Sequence, residues 1–130
     1  MKRIYVAGGS DERLQVRALI ERLKKRGWEV THDWTKDPGY DAPPSTSSKR
    51  RSAAMDLQAV ACADVVWIVA PREKSEGAAV EFGFARGCHK RTVVSGPDCT
   101  RCIFWLNADH VFDSHEAAMM WLGFAGTEGT

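Results

Sequence analysis

No apolar run in this chain approaches the roughly 18 residues that a membrane-spanning helix needs. Neither sign of charge dominates, because 18 Lys and Arg stand against 17 Asp and Glu for a net charge of +1. A dedicated nucleic-acid binder usually carries a strong basic excess, so that class is disfavoured. Only Lys2 and Arg3 precede the first strand pattern, without a signal-peptide hydrophobic region or cleavage site, so cytoplasm is the expected location. The dinucleotide fingerprint GxGxxG and the P-loop pattern GxxxxGKS/T are both missing, which makes a dinucleotide or triphosphate ligand unexpected. Cysteine is sparse. Cys99-Thr100-Arg101-Cys102 is a lone CxxC with His89 and His110 nearby in sequence, but zinc sites usually need a second pair. Reduced thiols are the simplest reading, a redox pair the alternative, and no metal or cofactor is expected. Cys62 and Cys88 fall on helical patterns at positions that look like core.

What remains is a chain of 130 residues, 44% hydrophobic and 27% charged, enough for one soluble domain over residues 1–130. Ile4 to Ala7 reads as a first strand ending in the tight turn Gly8-Gly9-Ser10. A helix is expected from Asp11 to Arg26, with Ser10 as N-cap, Gly27 as stop, and Leu14, Ala18, Leu19 and Leu23 at helical spacing. Trp28 to His32 is a second strand. The Pro- and Ser-rich stretch from Asp33 to Ser48 is a long loop of the kind that often serves as a lid. A second helix is expected over 49–62, a third strand over Asp64 to Ala70, and a third helix over Glu76 to Gly87. Arg91 to Ser95 is a fourth strand, Cys102 to Leu106 a fifth, and Ser114 to Leu122 a closing helix before a frayed tail at 126–130. This alternation implies an α/β three-layer sandwich with a five-stranded parallel sheet, flavodoxin-like or Rossmann-like.

Two acids sit where stability alone would not place them. Glu81 lies in Gly77-Ala78-Ala79-Val80-Glu81-Phe82-Gly83-Phe84-Ala85, and Gly77, Ala78, Phe84 and Ala85 share its face at helical spacing. That helix opens at the carboxyl end of a buried strand, the edge at which open α/β sheets bind ligands. Asp56 repeats the pattern on the preceding helix, among Ala53, Leu57, Ala59 and Val60. Either acid alone reads most simply as a satisfied structural group. Two on consecutive helices suit acid–base and nucleophilic work. Burial raises the pKa of such a glutamate, partly offset by the helix N-terminus.

The turn Gly8-Gly9-Ser10 can hold a monophosphate or a sugar on its backbone N–H groups, or can serve backbone geometry alone. Ser75 is an N-cap or an anion contact. Asp64 and the basic runs 24–26 and 49–51 read as structural and solvated. Trp34 and Tyr40, in the long loop, either stack on a flat ligand or anchor the loop.

Three stretches, IYVAG at 4–8, MDLQAVACADVVWIVA at 55–70 and SEGAAVEFGFARG at 75–87, resemble the nucleoside 2-deoxyribosyltransferase family. The family includes relatives that hydrolyse 2′-deoxynucleoside 5′-monophosphates, and the likeness runs from about residue 3 to residue 96. The resemblance implies that Glu81 is the nucleophile attacking C1′ of the sugar. It makes Asp56 the acid that assists departure of the base, and Tyr5 the group that positions the nucleophile or sugar. Gly8 then lies at the sugar or phosphate end. Gly8, Gly9, Ser10, Arg13, Ser75, Gly77 and Asn107 are the substrate-binding candidates. Ser75 stands where the monophosphate hydrolases carry a phosphate-binding serine and the transferases tend to carry aspartate. Asp11 occupies the place of the hydrolases' first-loop arginine, leaving Arg13 or Arg17 as replacements. Asn107 corresponds to an asparagine that reaches a neighbouring subunit's site, and a homodimer or higher homo-oligomer is implied.

The expected activity is cleavage or transfer at the N-glycosidic bond of a (2′-deoxy)nucleoside or its 5′-monophosphate. Water as acceptor makes the enzyme a hydrolase, and a second base makes it a transferase. The rival reading is a nucleotide-sensing module on the same fold, in which Glu81 and Asp56 only orient a ligand. A flavin carrier fits poorly, since the first loop lacks a Ser/Thr-rich phosphate cradle.

Overall fold

The computed structural model describes residues 2–37 and 45–127. Five parallel strands, β1 (Arg3–Ala7), β2 (Glu29–Val30), β3 (Val65–Val69), β4 (Arg91–Ser95) and β5 (His110–Phe112), form one sheet in the order β2-β1-β3-β4-β5. This is the flavodoxin-like order, with its switch point between β1 and β3. Four helices complete the layers: α1 (Arg13–Lys25), α2 (Thr46–Cys62), α3 (Glu76–Gly87) and α4 (His115–Thr127). Among the described residues no helix is long and apolar enough to cross a membrane.

β3 is buried at all five positions, as a central parallel strand covered on both faces should be. Lateral register places Tyr5 beside Val66 and Val66 beside Thr92, with Val6, Trp67 and Val93 aligned one position further on. Because side chains alternate along a strand, these two rows face opposite ways. The Tyr5 row faces α2 and α3, and the Trp67 row faces α1 and α4.

α1 buries Val16, Leu19, Ile20 and Leu23, a stripe of one helical face. It ends as the glycine pattern predicts. Gly27 at φ +90° lets its own N–H reach Lys24 O (3.1 Å) and Trp28 N–H reach Leu23 O (3.1 Å), closing the last turn. Its start differs from expectation. Ser10–Glu12 forms a 3₁₀ turn and α1 begins only at Arg13, so Ser10 is not its N-cap. The Glu12 carboxylate reaches back to Gly9 N–H (3.2 Å) and across to Arg72 N–H (3.4 Å), which tightens the turn.

Several other boundaries move. β2 has only two residues, not five. α2 starts at Thr46, inside the stretch expected to be loop, because Ser45 Oγ accepts the Ser48 N–H (3.1 Å). Trp34–Lys36 is a 3₁₀ turn, and Trp34 is buried with its indole N–H on Val6 O (2.8 Å), so it anchors the segment. Tyr40 lies outside the described residues.

The fifth strand is not Cys102 to Leu106. Ile103–Asn107 is a 3₁₀ turn that buries Trp105 alone, edge-on to Phe82 at 5.3 Å, while Ile103, Phe104 and Leu106 face outward. The true β5 follows, aligned by Asp109, whose carboxylate accepts Thr92 N–H (2.8 Å) and Thr92 Oγ–H (3.2 Å). α4 continues past Leu122 to Thr127, into the stretch expected to fray. Cys62 and Cys88 are half-buried, not core, whereas Cys99 is buried, and all four thiols are free.

Candidate active site

Glu81 sits on the second turn of α3, a helix capped by Ser75, whose Oγ accepts the Ala78 N–H at 3.2 Å. The buried face of α3 carries Ala78, Glu81, Phe82 and Ala85, so three apolar residues accompany one acid. Phe84, expected to share that face, is 37% exposed instead. The Glu81 side chain meets β1 directly. Tyr5, fully buried, donates its hydroxyl to Glu81 Oε2 at 2.9 Å.

Asp56 comes to the same place from α2. Burial first, and then the neighbouring Asp56 charge, push the Glu81 carboxyl up to about 8 against the opposing pull of the Tyr5 hydroxyl. Desolvation also raises Asp56, opposed by His32 and by a hydrogen bond from Glu81. Both carboxyl groups are raised, so the two share a proton as a pair.

Two residues of this cluster were missed in the sequence. His32, just beyond β2, places Nε2 3.8 Å from Asp56 Oδ1, and both atoms are buried without a hydrogen-bond partner. Asp37 adds a like charge near Asp56 and accepts the Ser52 Oγ–H at 2.7 Å. The signal that could have found His32 is positional. It ends a strand at the same sheet edge as the Gly8 turn.

The structure brings Tyr5, Asp56 and Glu81 together, and it sets Gly9 against Ser75. A Cβ on Gly9 would stand 2.7 Å from Glu12 Oε1, the far end of a flexible side chain, and 3.5 Å from Ser75 Cβ, an ordinary contact, so the first loop lies close against the start of α3. A Cβ on Gly8 would stand 3.0 Å from Val16 Cγ2, which ties this glycine to packing against α1. Ser10 and Gly77 are exposed. Arg13 Nε donates to Thr35 O (2.9 Å), the carbonyl that Arg17 Nη2 also meets (2.5 Å). Asn107 is exposed at the end of the 103–107 turn. Ser75 also lines a cleft of about 450 Å³ between the first turn of α3 and the 103–107 turn, with Pro71, Ala79, Phe104 and Trp105. Among the described residues no group of three or more His, Cys, Asp or Glu could hold a metal.

A buried Glu81 carboxyl at the β1/β3 switch point, with a tyrosine hydroxyl on it and the half-buried Asp56 beside it, can supply a nucleophile and a proton to one reacting bond. The chain resembles the CMP N-glycosidase BcmB of Clostridium botulinum at 20% identity, covering 89% of this chain and 92% of that one, with a TM-score of 0.58. It also resembles a 2-deoxyribosyltransferase from Bacillus psychrosaccharolyticus at 16% identity, covering 90% and 89%, with a TM-score of 0.69. At these identities the likeness establishes the fold. No curated protein matches. The sequence profile of nucleoside 2-deoxyribosyltransferases spans residues 4–120, and the chain belongs to that family.

Proposed function

We propose that this protein cleaves or transfers at the N-glycosidic bond of a (2′-deoxy)nucleoside or its 5′-monophosphate, through a covalent glycosyl-Glu81 intermediate. The observation that carries the reading is the buried Glu81 carboxyl, bonded to Tyr5 and coupled to Asp56. In the resting pair Glu81 and Asp56 share one proton, which is misplaced for attack whenever it lies on Glu81. Its passage to Asp56 prepares both groups at once, making Glu81 a nucleophile and Asp56 an acid.

Glu81 then attacks C1′. The C1′–N bond breaks, its electrons pass to the base nitrogen, and that nitrogen takes the proton from Asp56. The oxocarbenium-like transition state is stabilised by a carboxylate in a site poor in water. Tyr5 holds the attacking oxygen in line. In the second step Asp56, now ionised, takes a proton from water or from an incoming base as it bonds to C1′, and Glu81 leaves as carboxylate.

Ser75 and the Gly8-Gly9-Ser10 turn face the 5′ end of the sugar, with Gly77 at the open start of α3 and Arg13 behind the loop. Asn107 serves a neighbouring copy's site in a homodimer or larger homo-oligomer. The exposed Ile103, Phe104 and Leu106 on the same turn support such an interface. No metal or cofactor takes part in this scheme.

The test is chromatography of free base released from separate nucleosides and 5′-monophosphates, with and without an added acceptor base. Base release that needs Glu81, together with a denatured-protein mass increased by one sugar, is the expected result. Ligand binding without release of base from any substrate would favour the sensing module.

A further inference from the structure

His32 and Asp56 form an unfinished contact. Their facing atoms, Nε2 and Oδ1, are 3.8 Å apart, and both are buried without a hydrogen-bond partner. An N–H···O hydrogen bond spans about 2.7–3.2 Å, so the gap is less than about 1 Å too long. Buried polar atoms left in this state are rare and costly, and they point to a partner met at another stage of the working cycle. The frame around the gap is fixed. Thr31, next to His32, donates its N–H to Ile4 O and its Oγ–H to Ala59 O, each at 2.9 Å. Ala59 lies three residues from Asp56 on α2, so the end of β2 is bound to the helix that carries the acid.

We propose that His32 is a positioning residue for Asp56: its Nε2–H closes on Asp56 Oδ1 when substrate binds, and leaves Oδ2 to carry the proton. The inference rests on the glycosidic reading above. A free carboxyl can hold its proton on either oxygen, and a proton on the oxygen turned to His32 is the unproductive arrangement. A donor on Oδ1 excludes the unproductive arrangement. Once Asp56 has given its proton to the base, the same N–H stabilises the new carboxylate until that carboxylate takes a proton from the acceptor. No proton leaves His32.

The test compares His32→Leu, which removes the donor, with His32→Gln, which retains an N–H. Wild type, both variants and His32→Leu in an Asp56→Asn background are assayed for base release. His32→Leu should lower kcat roughly 10- to 100-fold, part of the 10²–10⁴ that acid–base catalysis contributes, with KM changed less than about threefold. His32→Gln should recover most of that loss. In the Asp56→Asn background His32→Leu should cost nothing further, as expected for residues acting as one unit.

An unchanged kcat in His32→Leu overturns the proposal. So does a full additional loss on Asp56→Asn, or a His32→Gln variant as slow as His32→Leu while melting like wild type. If wild type itself releases no base, the glycosidic reading fails and this one fails with it. An active wild type that is indifferent to His32 sinks the positioning role alone.

Discussion

On the face of the sheet beneath α1 and α4, the polar groups of Trp67, Ser95 and His115 are matched to one another. Trp67 Nε1–H donates to Ser95 Oγ (2.8 Å), and Ser95 pairs with His115 Nδ1 (2.6 Å). Indole can only donate, so Ser95 Oγ accepts from Trp67 and shares its second hydrogen bond with His115 Nδ1. Burial lowers the His115 pKa, which agrees with a neutral ring. On the opposite face, beneath α2 and α3, two carboxyl groups crowd together, and His32 Nε2 and Asp56 Oδ1 are left without hydrogen bonds. One fold treats its buried polar atoms in two ways. The matched face follows the rule for stable proteins, and the unmatched face departs from it where chemistry requires groups held ready.

The sharpest way to break this comparison is to remove Glu81. Glu81→Ala should lower base release by at least about 10⁴-fold, since the nucleophile is lost. Melting should nevertheless occur at or above the wild-type temperature near neutral pH, because a poorly solvated acid has gone. A variant that loses several degrees instead would mean that Glu81 is a structural group. Asp56→Asn keeps the size of the acid but not its proton, and should slow release about 10²- to 10³-fold. An unchanged rate there would remove Asp56 from the mechanism.

The pH dependence separates the faces in a second way. Glu81 has an ordinary value of 4.5 and about 8 in the folded chain. Between these values the folded protein holds a proton that the unfolded chain has lost, so stability should fall as pH rises from about 4.5 to about 8. The loss should be on the order of a few kcal/mol, and it should vanish in Glu81→Gln. Activity should decline above about pH 8, where the carboxyl pair loses the proton that the leaving base needs. Melting curves at several pH values, alongside a kcat/KM profile, test both statements. Flat stability over that window would mean that the pair is better solvated than its burial implies.

The alternating pattern along the chain was enough to predict the five-stranded parallel sheet, and the acids in apolar stretches marked Glu81 and Asp56. Apolar pattern reports burial well in β3, whereas in α1 half of the stripe read from the sequence, Leu14 and Ala18, is exposed and Val16 and Ile20 are buried beside Leu19 and Leu23 instead. It misled at Ile103 to Leu106, where four apolar residues imitate a strand although only Trp105 turns inward. Those outward side chains answer to something other than this chain's own core. His32 escaped notice for the opposite reason. It closes the stretch read as the second strand, and its significance comes from long-range pairing with α2 that no local pattern encodes.

Tyr5→Phe tests the matched contact within the carboxyl cluster itself. Loss of the 2.9 Å bond to Glu81 Oε2 should reduce the rate about tenfold, the cost of a hydrogen bond of roughly 1.5 kcal/mol to a charged group. The Tyr5 hydroxyl also holds the Glu81 pKa down, so the alkaline limb of the profile should move to higher pH in this variant. An unmoved limb would separate Tyr5 from the nucleophile.

Ser95→Ala is the converse test, with the smallest expected effect on rate. Alanine fits the space but leaves Trp67 Nε1–H and His115 Nδ1 facing each other's former partner without a hydrogen bond. Leaving a buried donor or acceptor unmatched costs about 1–3 kcal/mol, so the variant should melt several degrees lower. Its kcat and KM should equal those of wild type, because Ser95 and its partners lie on the far side of the sheet from Glu81. A loss of stability without loss of rate would mark the α1/α4 face as structural support. If the rate fell along with the melting temperature, the two faces would be coupled through β3 and β4, and the division of labour between them would not hold.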